Sequence, residues 1–207
     1  MGPILEVARL HRRFGAHEVI RSLSVVADRK GRLALWGPNG SGKTTLLRCI
    51  AGTVDPTGGS ITVGGHAAGT RQARGLIGAS FSQERSFYLR LSGHDNLLFF
   101  ARLRGGGKRA ATREVCALEA ELELQEIARE RVDRCSTGMV QQLAVARALL
   151  GRPPLLLLDE PTRSLDAEAR TRLWAALDRR RDDSSLLIAT HRDDDVARCG
   201  SRLDFPA

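Results

Sequence analysis

Residues 4–10 and 19–27 carry strand-like patterns of apolar and polar positions. Residues 32–36 form a short apolar run closed by Gly37, as a buried strand should be. Residues 44–51 have helical spacing and stop at Gly52. Short strands are predicted at 60–63, ahead of Gly64 and Gly65, and at 76–81. The middle of the chain then turns helical, over 95–103 and 110–124, with Gly105, Gly106 and Gly107 between them. A further helix at 139–150 is ended by Gly151 and two prolines. Residues 155–158 are all leucine, the composition of a strand covered on both faces. A helix over 167–180 and a core strand over 186–190 follow. Strand–loop–helix units at both ends, with helices between, predict an α/β fold. Its sheet is mostly parallel and covered by helices, and a helical subdomain spans about 84–140. The only mobile tip expected is 105–108.

A chain of 207 residues with 42% hydrophobic and 27% charged positions fits one globular domain, 1–207. That length buries about 70% of the unfolded chain's surface, so neither disulfides nor metal are needed for folding. The apolar runs fall far short of the roughly 20 residues that cross a membrane. Arg9 interrupts the N-terminus too early for a signal-peptide core. The expectation is a cytoplasmic chain that does not cross a membrane by itself. The net charge is +8, which would suit nucleic acid or anionic lipid. Only Lys30, Lys43 and Lys108 are lysines among the 32 basic residues, so an arginine-biased composition with a solvated basic surface accounts for the charge. Cys49, Cys116, Cys135 and Cys199 have neither metal-ligand nor redox spacing and read as reduced structural thiols.

The strongest chemical signal is Gly37, Pro38, Asn39, Gly40, Ser41, Gly42, Lys43, Thr44 and Thr45. It fits G-x-x-x-x-G-K-[ST], with a strand before it and a helix after it. Its glycines let backbone N–H groups turn around phosphate oxygens, and the helix N-terminus adds a positive dipole end. Lys43 would reach the outer phosphates and the Thr44 hydroxyl would ligate Mg²⁺. The second signal is the leucine strand that ends in Asp159 and Glu160. Carboxylates at the end of a sheet strand sit where open α/β folds bind ligands. Asp159 is placed to hold Mg²⁺ through water, and Glu160 to polarise the attacking water. The third is the turn Cys135, Ser136, Thr137, Gly138, Met139 opening a helix. It is an anion site or an ordinary serine cap. Gln83 follows a strand, where its amide would touch the metal or the water. His191 ends another strand, within reach of a γ-phosphate. The ring of Phe14 would stack on adenine or sit in a core.

The order and separations of these motifs resemble the nucleotide-binding subunit of an ABC transporter. Phe14 matches the adenine-stacking loop, 37–45 the Walker A loop and Gln83 the Q-loop. Residues 136–139 match the signature, 155–160 Walker B, 164–166 the D-loop, and His191 the switch histidine. The resemblance covers about 4–191. It implies a P-loop NTPase core with a small antiparallel β subdomain and an inserted helical subdomain. It also implies ATP and Mg²⁺ as cofactors, and a head-to-tail dimer. There Ser136 and Gly138 face the nucleotide held by a second copy or a related ATPase subunit, with Asp166 in the D-loop at the same interface. A membrane permease is the further partner, and no nucleic acid is expected. The chain would then lie at the inner face of the cell membrane, and exposed Phe87 and Tyr88 beside the Q-loop would suit the permease contact, unless the helical subdomain buries them.

Within the family the text over 86–103 is most similar to exporters of drugs, polysaccharides and lipids. Haem-exporter ATPases, soluble ABC-type ATPases of translation, DNA repair or iron–sulfur assembly, and a poorly hydrolysing regulatory subunit are the other readings. Cys135, Thr137 and Met139 depart from the usual signature residues. The 16 residues after His191 predict a short sheet edge, or one covered by a partner.

Overall fold

The computed structural model describes residues 2–82, 86–105 and 107–205. Gln83, Glu84, Arg85 and Gly106 lie outside the described residues, and so therefore do the Q-loop glutamine and part of the glycine tip. Two sheets organise the chain. The first is antiparallel, ordered β2-β1-β4-β5, from β1 (Leu5–Phe14), β2 (His17–Ala27), β4 (Gly58–Val63) and β5 (His66–Ala67). The second is parallel throughout, ordered β6-β7-β8-β3-β9, from β3 (Arg32–Trp36), β6 (Ile77–Ser80), β7 (Leu155–Asp159), β8 (Ser185–Thr190) and β9 (Arg202–Asp204).

The leucine strand explains how the layers assemble. Successive side chains on a strand point to opposite faces. Leu156 and Leu158 enter one core with Leu186 and Ile188 of β8, and Leu155 and Leu157 enter another with Leu187 and Ala189. The first core is covered by α6 (Thr137–Leu149), α7 (Ala167–Asp178), α3 (Gly93–Leu103) and α4 (Lys108–Leu122). The second packs α1 (Lys43–Ile50) and the antiparallel sheet against the parallel one. Because both faces are covered, every residue of β7 and β8 is buried.

The helices start and stop for local reasons. Ser92 caps α3 by accepting from the Asp95 N–H, and Asp166 caps α7 by accepting from the Ala169 N–H at 2.7 Å. Helix α4 stops where Glu123 takes a left-handed conformation, two residues before the patterned stretch runs out. Further elements were not legible: α2 (Arg71–Gly75), α5 (Gln125–Arg129), α8 (Asp193–Cys199), a 3-10 turn at Val132–Arg134, β5 and β9. All have seven residues or fewer, too few for a period to show. Strand β1 continues four residues past the predicted end at Leu10. Register shifts between Val7 and Arg13 break the alternation there. The sheet edge beyond β3 is not left short: β9 pairs with it in parallel.

Candidate functional site

The strands of the parallel sheet deliver their C-terminal ends to one cleft, lined by Asn39, Gly40, Gly42, Lys43, Thr44, Thr45, Ser82, Asp159, Glu160 and Arg163. The loop leaving β3 turns into α1 through Gly42, which sits at φ 102° as the helix cap. A Cβ at that glycine would lie 3.0 Å from the Val19 carbonyl oxygen, so both the turn and the close approach demand glycine. Lys43 is buried and donates to the carbonyl oxygens of Gly37 (2.7 Å) and Pro38 (2.8 Å). Burial pushes its pKa down, while the nearby Glu160 and Asp159 carboxylates push it back up. Within the same loop, the Ser41 hydroxyl oxygen is buried without a partner.

Asp159, at the end of β7, accepts from the Thr44 hydroxyl at 3.1 and 3.0 Å, and from Ser82 through both its hydroxyl (2.7 Å) and its N–H (3.2 Å). A hydroxyl and a carboxylate converging on one point are hard oxygen donors of the kind Mg²⁺ takes. Among the described residues no group of three His, Cys, Asp or Glu side chains forms a cage. The residues therefore fit an ion that draws its remaining ligands from nucleotide phosphates and water, as Mg²⁺ does.

Glu160 is the next residue, held at φ 50° with its N–H donated to the Ala189 carbonyl at 2.8 Å. Both of its carboxylate oxygens are shut from solvent without a directed hydrogen bond. His191 Nδ1 lies 2.7 Å from Glu160 Oε2 and pairs with it by proximity rather than by hydrogen-bond alignment. Half of the His191 side chain remains exposed. A buried, underpartnered carboxylate beside an open imidazole is equipped to orient a water molecule.

Ser136 and Gly138 open α6 away from this cleft and are not among its lining residues. Ser136 accepts from the Met139 N–H at 3.2 Å, and its own N–H donates to the Met139 sulfur at 3.4 Å, so a thioether closes the capping box. A Cβ on Gly138 would lie 2.6 Å from the Ser164 carbonyl oxygen, which places the turn directly against the segment 164–166. Phe14 ends β1 with its ring 47% exposed and the Arg12 guanidinium 4.1 Å from its centroid. It is not a core aromatic. Phe87, by contrast, is buried, edge-on to Phe100 and with Arg147 5.0 Å from its ring centroid. That corrects the expectation that it is exposed. Tyr88 remains 50% exposed.

A family model for ABC transporters matches residues 20–163. The chain belongs to the ABC transporter family, as an ATP-binding domain. It is 36% identical over 191 residues to the Nod factor export ATP-binding protein I of Cupriavidus pinatubonensis, covering 91% of this chain and 58% of that protein. It is 28% identical over 203 residues to the spermidine/putrescine import ATP-binding protein PotA of Legionella pneumophila, covering 97% of this chain and 56% of that protein. The chain thus spans less than two thirds of these curated relatives. Its fold superposes on an ATP-binding cassette solved as a dimer in a post-hydrolysis state with ADP and Pi. The TM-score is 0.88 at 20% identity, covering 97% of this chain and 94% of that one.

Within this ABC domain, the structure gathers Lys43, Thr44, Asp159, Glu160 and His191 into one site, and Ser136, Gly138 and Asp166 are not among the residues lining that cleft. Two residues of the cleft escaped the sequence reading. Ser82 holds Asp159 from the strand end beside Gln83, and Arg163 lines the cleft two residues beyond Pro161. Only their positions next to recognised motifs pointed to them. Among the described residues, no helix is long and apolar enough to cross a membrane.

Proposed function

We propose that this domain binds and hydrolyses ATP with Mg²⁺, and that it powers export through a membrane permease by closing head to tail on a second copy or a related ATPase subunit. The observation that carries this reading is the convergence of Lys43, Thr44, Asp159, Glu160 and His191 on one cleft. The phosphates enter the loop 37–45, where Lys43 exchanges its two loop carbonyls for phosphate oxygens and Ser41 gains the partner it lacks. Thr44 and Asp159, with Gln83 as the residue after Ser82 in sequence, would hold the metal, which would offset the charge of the phosphates. Glu160 orients the attacking water and takes its proton. His191 holds the Glu160 side chain and reaches the γ-phosphate. Phe14 stacks on the adenine.

Ser136 and Gly138 lie off their own cleft, which supports a role toward nucleotide bound by the partner, with Asp166 at the same interface. That incomplete half-site favours a dimer, the form in which the structural relative bound to ADP and Pi was solved. Tyr88, Leu89 and Leu91, which follow residues 83–85 in the sequence, are exposed apolar side chains, with Tyr88 braced edge-on by Phe99 at 4.9 Å. An aromatic anchor of this kind suits a permease contact, which would hold the domain at the inner face of the membrane. The relatives named for Nod factor export and for linearmycin resistance favour export, whereas PotA is named for import.

The test is Glu160→Gln. The variant should bind ATP, elute as a dimer in ATP and not turn over. Normal turnover by that variant would refute the assigned base. For the export reading, detergent purification of the tagged chain from its native cells should recover a multi-spanning membrane protein in stoichiometric amount. Recovery with ribosomes, DNA or scaffold proteins instead would overturn it.

A further inference from the structure

Asp195 is 1% exposed, yet it belongs to a run of three aspartates, Asp193, Asp194 and Asp195, that opens α8. Its neighbours in the run face solvent. Its carboxylate takes three hydrogen bonds inside the protein. Thr162 donates to Oδ2 at 2.6 Å, Thr190 donates to the same oxygen at 2.9 Å, and the Trp174 indole N–H donates to Oδ1 at 3.0 Å. The direction at Thr190 is settled by its other bond. Its hydroxyl oxygen accepts the Arg192 N–H at 3.1 Å, so its single proton is left for Asp195. All of Asp195, Thr162, Thr190 and Trp174 are buried.

The positions of these partners give the cluster its meaning. Thr162 stands two residues after Glu160. Thr190 and Arg192 flank His191 on either side. One carboxylate oxygen therefore joins the loop that carries the proposed base to the loop that carries its histidine, with the indole on α7 fixing the other oxygen. The two catalytic side chains meet at 2.7 Å across this brace, and one of them, His191, is half exposed. Glu160 also sits at φ 50°, a strained conformation for a non-glycine residue, and such a conformation persists only where its surroundings enforce it.

We propose that Asp195 is a positioning residue for ATP hydrolysis: through Thr162 and Thr190 it sets the Glu160–His191 geometry without touching the nucleotide. The inference rests on the roles given to Glu160 and His191 above. The phosphate loop, with Lys43, Ser41 and Thr44, makes none of these bonds. Loss of the brace should therefore slow the chemical step while nucleotide binding stays intact.

The experiment is steady-state ATPase kinetics on the purified full chain, with thermal melts of each variant. Thr162→Val keeps the side-chain shape and removes the donor; Thr162→Ser keeps the donor. Thr162→Val should lower kcat roughly 10- to 100-fold, the scale of a small misplacement of reacting groups, with KM within about twofold. Thr162→Ser should keep kcat within about twofold of the unaltered chain. Asp195→Asn should repeat the Thr162→Val result. If these variants do not fold, Thr190→Val against Thr190→Ser asks the same question from the histidine side. The proposal is overturned if folded Thr162→Val or Thr190→Val turns over normally, if the serine variants lose as much as the valine ones, or if KM rises in step with the fall in kcat. Glu160→Gln in the same assay separates the two levels. Normal turnover there removes both readings, whereas an inactive Glu160→Gln beside a normal Thr162→Val removes the positioning role alone.

Discussion

Replacing Gly138 with alanine puts the signature turn under direct steric load. The added Cβ would stand 2.6 Å from the Ser164 carbonyl oxygen, against an optimum of about 3.5 Å or more for contacts involving carbon. One wall of this contact is the first turn of α6, pinned by the Ser136–Met139 cap. The other is the turn 160–165, which is held by Arg163 N–H to Glu160 O at 3.2 Å and Leu165 N–H to Thr162 O at 3.3 Å, and then capped into α7 by Asp166. Neither wall can yield without loosening its own hydrogen bonds. Overpacking of this kind costs about 1–3 kcal/mol, which in a chain of this size lowers Tm by roughly 2–12 °C. The assay is a urea or thermal melt, with Gly75→Ala as the control. Gly75 has open space around its Cβ position, and its substitution should stabilise by about 0.4–1 kcal/mol. ATP binding to the isolated monomer should be unchanged by Gly138→Ala, because Gly138 is off its own cleft, while ATP-driven dimer formation should be lost. A Gly138→Ala chain that melts with the unaltered protein and still dimerises would refute both the packing constraint and the interface role.

Phe14→Ala should weaken ATP binding by about 1–3 kcal/mol, the worth of an aromatic stack on a base, and leave Tm nearly unchanged since the ring is half exposed; fluorescent-nucleotide titration and a melt check both. Leu157→Ala removes a fully buried side chain between the sheet and α1 and should cost about 2–5 kcal/mol in a urea melt. Glu121 joins α4 to the end of α7, and hydrogen bonds from Arg180, then Arg179, hold its carboxyl below the ordinary 4.5. A carboxyl with a depressed folded pKa contributes stability that is present above its unfolded pKa and lost as pH falls through the folded one. Glu121→Gln should therefore cost at most about 1 kcal/mol at pH 7, and its melts should converge with those of the unaltered chain at acid pH below that range. Under native conditions an alkylating reagent should label exposed Cys116 first and spare Cys49 and Cys199 until unfolding. Burial raises both of those thiols, Cys199 to about 11, and mass spectrometry of the peptides reads the order.

The parts of the site that the sequence displays are those in which chemistry and chain order coincide. Lys43 and Thr44 lie at the start of a helix, and Asp159 and Glu160 at the end of a leucine strand. In each case, local rules decide where the side chain ends up. The central strands of the parallel sheet were legible for the same reason, since strands with both faces buried carry near-continuous apolar runs such as 155–158 and 186–189. What stayed hidden depends on neighbours distant in sequence. Asp195 looks like one more solvated acid in a run of three, and only the phase of a seven-residue helix turns it inward toward Thr162 and Trp174. Phe87 and Tyr88 are adjacent and equally apolar, yet one is covered by Phe100 and Arg147 while the other faces out. Gly138 invited a reading as a phosphate contact, but the clash its substitution would cause is with the Ser164 backbone, a constraint that needs the fold to be seen.

The cleft is organised by contacts within the chain. Lys43 spends its ammonium group on two loop carbonyls and Thr44 spends its hydroxyl on Asp159, so each is held near where the proposed chemistry needs it. Burial pushes the Lys43 pKa down, and the Glu160 and Asp159 carboxylates oppose that push. In the proposed function, the charge of an arriving phosphate would favour the protonated form of this buried lysine. Two buried groups without a directed hydrogen bond, the Ser41 hydroxyl and the Glu160 carboxylate, would stand on the phosphate side and the water side in the proposed function. Under that reading, binding would give both groups the hydrogen-bond partners they lack rather than build a site from solvent.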